Sequence, residues 1–252
     1  MKLYYDFHIH SCLSPCGDAD MTPNNIVNYA KIMGYDVIAL TDHNTALNCP
    51  AVAKIAEENG ITFIPGMELC TSEEVHIVCL FYTLEDALNF SEYVKSTMPP
   101  IKNKPSVFGE QLICDENDNV IGQEEILLVT ASGISTEKVV KKVAEFNGIC
   151  YPAHIDRSSF SILSNLGTID EYFGFKCAEI YDILKENELK KKHPYLEKLK
   201  ILSDSDAHYL ENMRIPQQII DVPENNINAI LFAIGQNVEQ YYEERTIILK
   251  IQ

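Results

Sequence analysis

The sequence lacks several features that would define its class at once. None of its eight cysteines form a C-x-x-C pair, which argues against a zinc ribbon or a thioredoxin-type redox motif. No apolar run approaches the roughly 18 residues that a membrane-spanning helix needs, so we expect no membrane partner. The opening Met1-Lys2-Leu3-Tyr4-Tyr5-Asp6 meets a charge too soon for a signal peptide. These absences predict a soluble, cytoplasmic protein with reduced thiols.

Positive charge is also scarce. The chain has 20 lysines and arginines against 37 aspartates and glutamates, a formal net charge of −17 and a pI of about 4.7. No basic stripe is present, which argues against nucleic acid as a macromolecular partner. A small anionic substrate would need local positive charge, for example from a bound cation. The oligomeric state is left open by the sequence.

Strand patterns alternate with helix patterns along much of the chain. This alternation is typical of parallel βα units and predicts an α/β fold. The 252 residues, 46% of them hydrophobic, fit one domain over 1–252. The predicted strands cover about 3–5, 35–40, 61–65, 76–81, 149–154, 177–181, 200–203 and 246–251, and the predicted helices about 23–33, 50–59, 84–96, 135–146 and 225–235.

The middle of the chain breaks this alternation. Residues 97–130 contain Pro99, Pro100 and Pro105, followed by two short apolar runs on either side of the polar turn 115–119. Proline and the polar turn residues favour loops and hairpins over long elements. We therefore predict a small hairpin insertion inside the domain.

Polar residues recur where the predicted strands end. His8 and His10 follow the first strand, and their i, i+2 spacing places both side chains on one face. Asp42 and His43 follow the second strand, and Glu68 follows the third. The carboxyl ends of such strands are where α/β barrels and open α/β sheets carry their sites.

Six of the seven histidines lie at or beside predicted strand ends, and carboxylates accompany them. Imidazole together with carboxylate suits zinc, manganese or iron better than calcium. The number of donors exceeds what one ion can take, which predicts two or three divalent transition metal ions that share a bridging carboxylate. The six histidines are His8, His10, His43, His76, His154 and His208.

These motifs, in this order, resemble those of the PHP (polymerase and histidinol phosphatase) family. The matching segments are His8-Ile9-His10, Thr41-Asp42-His43-Asn44, Gly66-Met67-Glu68, His76, Pro152-Ala153-His154 and Ser205-Asp206-Ala207-His208. The resemblance implies a distorted (β/α)7 TIM-like barrel with a two- or three-metal centre at the strand ends. It also implies phosphoester hydrolysis.

The resemblance further implies a ligand set for each ion. One ion would be held by His8, His10, Glu68 and Asp206. Glu68 would bridge to a second ion, which is held by His76 and His154. A third ion would be held by His43, His208 and an acidic residue of the first loop.

The loop ligand is the point where this chain departs from the family pattern. The loop after His10 is about three residues longer than in members that read H-x-H-x-x-x-S-D-G. Counting back from Pro23 favours Asp18 as the ligand, with Asp20 as the alternative and Cys16 a distant third.

Catalytic roles follow from the charge of such a centre. The ions would outweigh the carboxylate ligands, so a phosphate could enter, and a water between two ions would lose its proton near neutral pH and attack. Asp206 and Glu68 are predicted to be catalytic residues in this step. Arg157 is predicted to contact the substrate phosphate and aid catalysis, and Arg214 is a second candidate. Asp42 is expected to orient a ligand histidine or to cap the next helix.

The predicted function is therefore metal-dependent hydrolysis of a phosphomonoester or phosphodiester in a small metabolite or nucleotide. An exonuclease that acts on nucleic acid ends is one alternative, and a non-catalytic metal-binding module is another. Related chemistry on a carbon–nitrogen bond is compatible with the same residues.

Overall fold

A computed structural model describes residues 1–235 of the chain. Within that range the protein forms ten strands and eight α-helices. The strands are β1 Lys2–Asp6, β2 Val37–Leu40, β3 Thr62–Cys70, β4 His76–Phe81, β5 Leu112–Cys114, β6 Val120–Gln123, β7 Gly148–Pro152, β8 Cys177–Glu179, β9 Lys200–Leu202 and β10 Ile219–Asp221. The helices are α1 Pro23–Met33, α2 Cys49–Asn59, α3 Leu84–Thr97, α4 Pro105–Phe108, α5 Thr136–Ala144, α6 Ile162–Asn165, α7 Glu186–Lys192 and α8 Ile227–Gly235.

Six strands form the main sheet, in the order β10-β1-β2-β3-β4-β7. The pairs β1–β2 and β2–β3 are parallel, as the alternation of strands and helices predicts. Strand β2 is buried on both faces: Ile38 and Leu40 pack in one hydrophobic cluster, whereas Val37 and Ala39 pack in another. Burial on both faces explains why this strand is a continuous apolar run without alternation. The α/β class is confirmed.

Strand β4 runs antiparallel to both of its neighbours, β3 and β7. No helix separates β3 from β4, and the turn between them is closed by the Thr71 N–H, which donates to the Val75 carbonyl at 2.9 Å. The reversal places His76, the first residue of β4, opposite Cys70. The start of β4 therefore lies at the same edge of the sheet as the carboxyl end of β3.

Strands β8 and β9 form a separate two-stranded parallel sheet. Single hydrogen bonds join it to the main sheet at the edge that carries the histidines: the Ile155 N–H donates to Glu179 O, and the His10 N–H donates to Ala207 O, both at 2.9 Å. These bonds connect the two sheets at that edge, while the complete (β/α)7 barrel stays a prediction.

Helix ends follow the local signals. Thr22 caps α1 by accepting a hydrogen bond from the Asn25 N–H, Pro23 is its first residue, and Gly34 ends it at a φ of 89°. The helix buries Ile26, Val27 and Ala30 in the hydrophobic cluster that also contains residues of α2 and of the sheet.

The hairpin predicted within residues 97–130 is present as β5 and β6, which pair antiparallel, while its being an insertion stays a prediction. Its turn contacts the start of α1, where the Thr22 hydroxyl donates to Asp118 at 2.8 Å. The predicted last strand, 246–251, lies outside the described residues, and the single domain over 1–252 stays a prediction. Among residues 1–235, no helix is both long enough and apolar enough to cross a membrane.

Candidate metal centre

The strand ends surround a cavity of about 280 Å³. Its position follows from the sheet, because the carboxyl ends of β1–β3 and the start of the reversed β4 share one edge. The cavity is lined by Cys16, His43, Glu68, His76, Val129, His154, Arg157, Ser159, Phe160, Asp206 and His208.

Glu68 lies at the centre of this group and is 1% exposed. Its Oε2 lies 2.9 Å from His43 Nδ1 and 3.5 Å from His10 Nε2. Its Oε1 lies within 3.2 Å of a ring nitrogen of each of three other histidines, namely His8, His76 and His154. Two oxygens that face two sets of imidazoles fit the predicted bridging role, which stays a prediction.

The histidines also set the charge of Glu68. Burial alone would raise its pKa, but the positive charge of His76, His8 and His43 and a hydrogen bond from His154 outweigh burial and hold the pKa well below its ordinary value. Glu68 is therefore an anion, which is the form that binds a cation.

The two oxygens of Asp206 have different neighbours. Oδ1 lies 3.4 Å from His8 Nε2 and 3.3 Å from His10 Nε2, whereas Oδ2 lies 2.9 Å from the Arg157 guanidinium. Against the effect of burial, the charge of His8 lowers the Asp206 pKa. Its φ is 49° and that of His154 is 29°, a left-handed region that side chains other than glycine rarely adopt. Such strain is concentrated at functional sites.

Glu179 supports His8 and was missed by the sequence analysis. It is the last residue of β8 and fully buried, and its Oε2 lies 2.8 Å from His8 Nδ1. The carboxylate accepts from Nδ1–H, which leaves Nε2 free to bind a metal. The sequence analysis placed Glu179 in the middle of the predicted strand 177–181, whereas β8 ends at this residue, so no strand-end signal marked it.

Asp42 supports His10 through Ser14. The Ser14 hydroxyl donates to Asp42 Oδ1 at 2.7 Å, so it accepts from His10 Nδ1 at 2.9 Å. This series of hydrogen bonds fixes the Nδ1–H form of His10 and leaves its Nε2 unprotonated. Asp42 also accepts hydrogen bonds from the Ser11 N–H and hydroxyl at 2.7 and 2.6 Å. It contacts no cap position of α2, whose N-cap is Asn48.

Two further observations show that these residues fit a divalent cation. His8 Nε2 and His10 Nε2 lie 3.2 Å apart, and when both rings are neutral their lone pairs repel unless a cation lies beside them. His43 Nδ1 and Glu68 Oε2 are buried and lie 2.9 Å apart, yet neither forms a hydrogen bond. The groups whose ligand atoms converge are His8–His10–Glu68, His43–Glu68–His76 and His10–His43–His208.

These groups overlap with the predicted ligand sets without reproducing them. His43 is grouped with Glu68 and His76, and His10 is grouped with His43 and His208.

Protons compete with cations for these ligands. Against the effect of burial, Glu179, Asp206 and Glu68 raise the pKa of His8 well above its ordinary value. The identity and number of the ions stay predictions.

The first loop places Cys16 in the cavity wall. Desolvation opposes ionisation of its thiol, but the charge of His43 and hydrogen bonds with His208 and His43 outweigh it and lower the pKa to about 6. Asp18 and Asp20 are not among the residues that line the cavity in the described part of the chain. Asp18 Oδ1 instead accepts a hydrogen bond from the Asp20 N–H at 2.9 Å.

The two predicted substrate arginines occupy different places. Arg157 lines the metal cavity, whereas Arg214 lines a smaller hollow of about 90 Å³ with Asp6 and Asp204. Tyr181 connects them, because each guanidinium lies 4.3 Å from the centre of its ring. Arg214 is thus placed beside Arg157 through this stack and not in the cavity wall.

Phe160 is an aromatic residue at the cavity that the sequence analysis did not single out. Its ring stacks on His76 with 4.7 Å between centroids, and the residue is 41% exposed. Its φ is 54°, and its carbonyl accepts from the His76 N–H at 2.8 Å. One aromatic face is thereby available next to a candidate metal ligand.

The fold and the site together define an α/β protein with a metal-binding cavity at its strand ends. The family model for the PHP domain matches residues 6–214, and the chain belongs to this family. The resemblance seen in the motifs is thereby confirmed.

The chain is similar to parts of longer proteins, several of which are named as nucleases. A 5'-3' exoribonuclease of Haemophilus influenzae is 38% identical over 83 residues, which are 32% of this chain and 29% of that protein. The lesion-specific endonuclease PfuEndoQ from Pyrococcus furiosus superposes with a TM-score of 0.68 at 21% identity, over 93% of this chain and 56% of that one. Endonuclease Q in complex with a 27-mer duplex, with an abasic lesion at its active site, gives a TM-score of 0.66 at 20% identity and the same coverage. At these identities the two structures establish the fold alone.

Proposed function

We propose that this protein is a metal-dependent phosphoesterase that hydrolyses the phosphoric ester of a nucleotide, either free or at the end of a short nucleic acid strand. Arg157 carries the phosphate part of the proposal, because its guanidinium lies in the wall of the cavity that the histidines surround. A guanidinium has five N–H donors, so its ion pair with Asp206 leaves donors for a phosphate. Family membership supports the same class of reaction.

The chain's own residues would hold and orient the reactants. When bound, the ions would supply positive charge for the phosphoryl oxygens and lower the pKa of water. Asp206 would hold Arg157 in place with one oxygen while the other faces the histidines. The ions would be held by His8, His10, His43, Glu68, His76, His154, Asp206 and His208, with Cys16 or Asp18 as the loop ligand.

Phe160 supports a substrate that carries a base. Its exposed ring beside His76 offers a face on which a nucleobase can stack, a contact worth roughly 1–3 kcal/mol per base. The relative named as an exoribonuclease supports such a substrate and runs against the expectation that nucleic acid is an improbable partner, which was drawn from net charge. The net charge of −17 instead supports a short substrate, because a long phosphate backbone would be repelled.

Hydrolysis of matched substrates by the metal-loaded protein tests this proposal. We expect release of phosphate or nucleotide from nucleoside monophosphates or short oligonucleotides, and weaker activity on a sugar phosphate. Phe160→Ala is expected to lower kcat/KM for the nucleotide roughly five- to hundredfold and to leave the sugar phosphate unaffected. Tyr172→Ala is the matched control, because Tyr172 is 68% exposed but does not line the cavity.

Two outcomes would count against the proposal. An equal loss with both substrates in Phe160→Ala would remove the base contact. An absence of hydrolysis of every phosphoric ester by fully metal-loaded protein would overturn the phosphoesterase function itself.

A further inference from the structure

The first loop contains a tight turn at Ser14–Gly17. The Gly17 N–H donates to the Ser14 carbonyl at 2.8 Å, so that Pro15 and Cys16 are the two central residues. Proline favours the first of these positions. A Cβ at Gly17 would lie 2.5 Å from the Ser11 carbonyl oxygen, so this turn needs glycine there. The position of Cys16 is therefore set by a compact turn.

Two contacts hold this turn against the rest of the protein. Gly109, in the insertion, approaches so closely that a Cβ there would lie 2.0 Å from the Pro15 carbonyl oxygen. On the other side, the Asp18 N–H donates to the His208 carbonyl at 2.8 Å. The insertion and the His208 backbone thus fix the turn between them, with Cys16 in the cavity wall.

A group of imidazoles faces Cys16. His10, His43 and His208 have ligand nitrogens within 4.8 Å of one another. His43 is 5% exposed and lines the same cavity, and Cys16 forms hydrogen bonds with His208 and His43. Three imidazoles whose ligand nitrogens converge in this way point to a cation site that is independent of the cysteine itself.

The carboxylates of the loop are placed differently. Asp18 Oδ1 accepts from the Asp20 N–H within the loop, and Asp20 is exposed. Neither lines the cavity among the described residues, whereas Cys16 does. The side chain of the first loop that lies in the cavity wall with His43 and His208 is therefore Cys16.

We propose that Cys16 is a thiolate ligand of a metal ion that His43 and His208 also hold, in the place where the family pattern has an aspartate. This inference rests on the proposed metal centre and adds a soft ligand to it. Sulfur together with imidazole favours zinc or ferrous iron over manganese and magnesium, which prefer oxygen. On binding, the metal–sulfur bond forms as the thiol proton leaves to solvent. This ion would differ in ligand type from those beside Glu68.

Cobalt(II) is the probe that tests the ligand directly, because cobalt–thiolate bonds absorb in the near ultraviolet by charge transfer. The metal-free full-length protein is titrated with Co²⁺, and both absorption and bound metal are measured. Wild-type protein is expected to show the band. Cys16→Ser should lose the band and about one metal equivalent per chain, whereas Cys16→Asp should lose the band but keep the metal. Asp18→Asn, the matched control, should keep both.

Alkylation gives a second measurement that does not depend on activity. Cys16 is the exposed residue among the eight free cysteines, all of which lie in the described range. Iodoacetamide should therefore modify Cys16 in metal-free protein, and Zn²⁺ should protect it.

The inference is overturned if wild-type protein binds Co²⁺ to saturation without a charge-transfer band. It is also overturned if bound Zn²⁺ does not protect Cys16 from iodoacetamide. It is equally overturned if Asp18→Asn, and not Cys16→Ser, loses the ion. A band that appears in protein without phosphoesterase activity would support the ligand and contradict only the proposed reaction.

Discussion

The two sides of the cavity are built differently. The strand wall is made of Glu68 and Asp206, which line the cavity, and of His8 and His10, which lie against them, and all four residues are buried. The loop wall, made of Cys16, Arg157 and Phe160, is open to solvent, and the Arg157 side chain is 40% exposed. On the strand wall, buried partners such as Glu179 and the Ser14–Asp42 pair hold the ligand histidines.

This difference separates two tasks. Ligands on or just after strands, with buried support, are placed accurately by the fold, which suits a metal site. Loop residues tolerate more change and are commonly where recognition is determined. We therefore expect changes in the strand wall to remove metal, and changes in the loop wall to alter substrate use while metal stays bound.

The largest effect is expected from Glu68→Gln in the strand wall. The amide keeps the size of the side chain but loses the negative charge that faces five imidazoles. Metal content and kcat/KM should both fall by more than the roughly 10–100-fold that a supporting residue costs. Metal analysis of protein loaded with excess Zn²⁺ or Mn²⁺ measures this loss. Unchanged metal content would exclude Glu68 as a bridging ligand.

Glu179→Gln should have the next largest effect, because it weakens the hydrogen bond that orients His8. We expect metal affinity to fall roughly 10–100-fold, as measured by competition with a chelator. Glu124→Gln is the matched control: Glu124 is also a buried carboxylate, but it pairs with Lys95 and does not line the cavity. The same loss of affinity in both variants would show that the effect is not specific to His8.

Arg157→Ala tests the loop wall. Loss of its charged donors should lower kcat/KM for a phosphoric ester about tenfold, since the side chain is partly exposed, and metal content should not change. Steady-state kinetics beside metal analysis separates the two effects. Loss of metal in this variant would show that Arg157 supports metal binding, as the strand wall does, and would contradict the division of tasks between the two walls.

The smallest effect is expected from Arg214→Ala. Arg214 contacts the Tyr181 ring and donates to the Tyr181 carbonyl at 3.2 Å, so it acts on Arg157 through that stack. An exposed cation–π contact corresponds to about a two- to fivefold change in kcat/KM. In an Arg157→Ala background, Arg214→Ala should have no further effect. A full second loss there would show that Arg214 contacts the substrate directly.

The strand wall could be predicted from the sequence to a large extent. The i, i+2 spacing of His8 and His10 and the polar residues after apolar strands depend on local periodicity, which the fold retains. His76 was also identified, although its strand runs antiparallel to both neighbours. Glu179 was missed because the predicted strand 177–181 extends beyond it, whereas β8 ends at this residue.

The loop wall could not be predicted in the same way. Counting residues favoured Asp18, whereas the structure places Cys16 in the cavity wall. The turn at Ser14–Gly17 is fixed by Gly109, which is far away in sequence, and such a contact leaves no trace in local pattern. The stack of Arg157, Tyr181 and Arg214 is likewise a tertiary contact between separate loops.

The length of the turn between β3 and β4 determines where His76 lies in the candidate metal centre. Because Cys70 pairs with His76, the length of the turn between them sets which face of the sheet His76 occupies relative to Glu68. A register shift of one residue reverses the faces of a whole strand. One residue inserted between Thr71 and Val75 would turn His76 away from Glu68 without removing any ligand from the sequence. The metal centre is therefore encoded in a loop length as well as in the identity of its histidines.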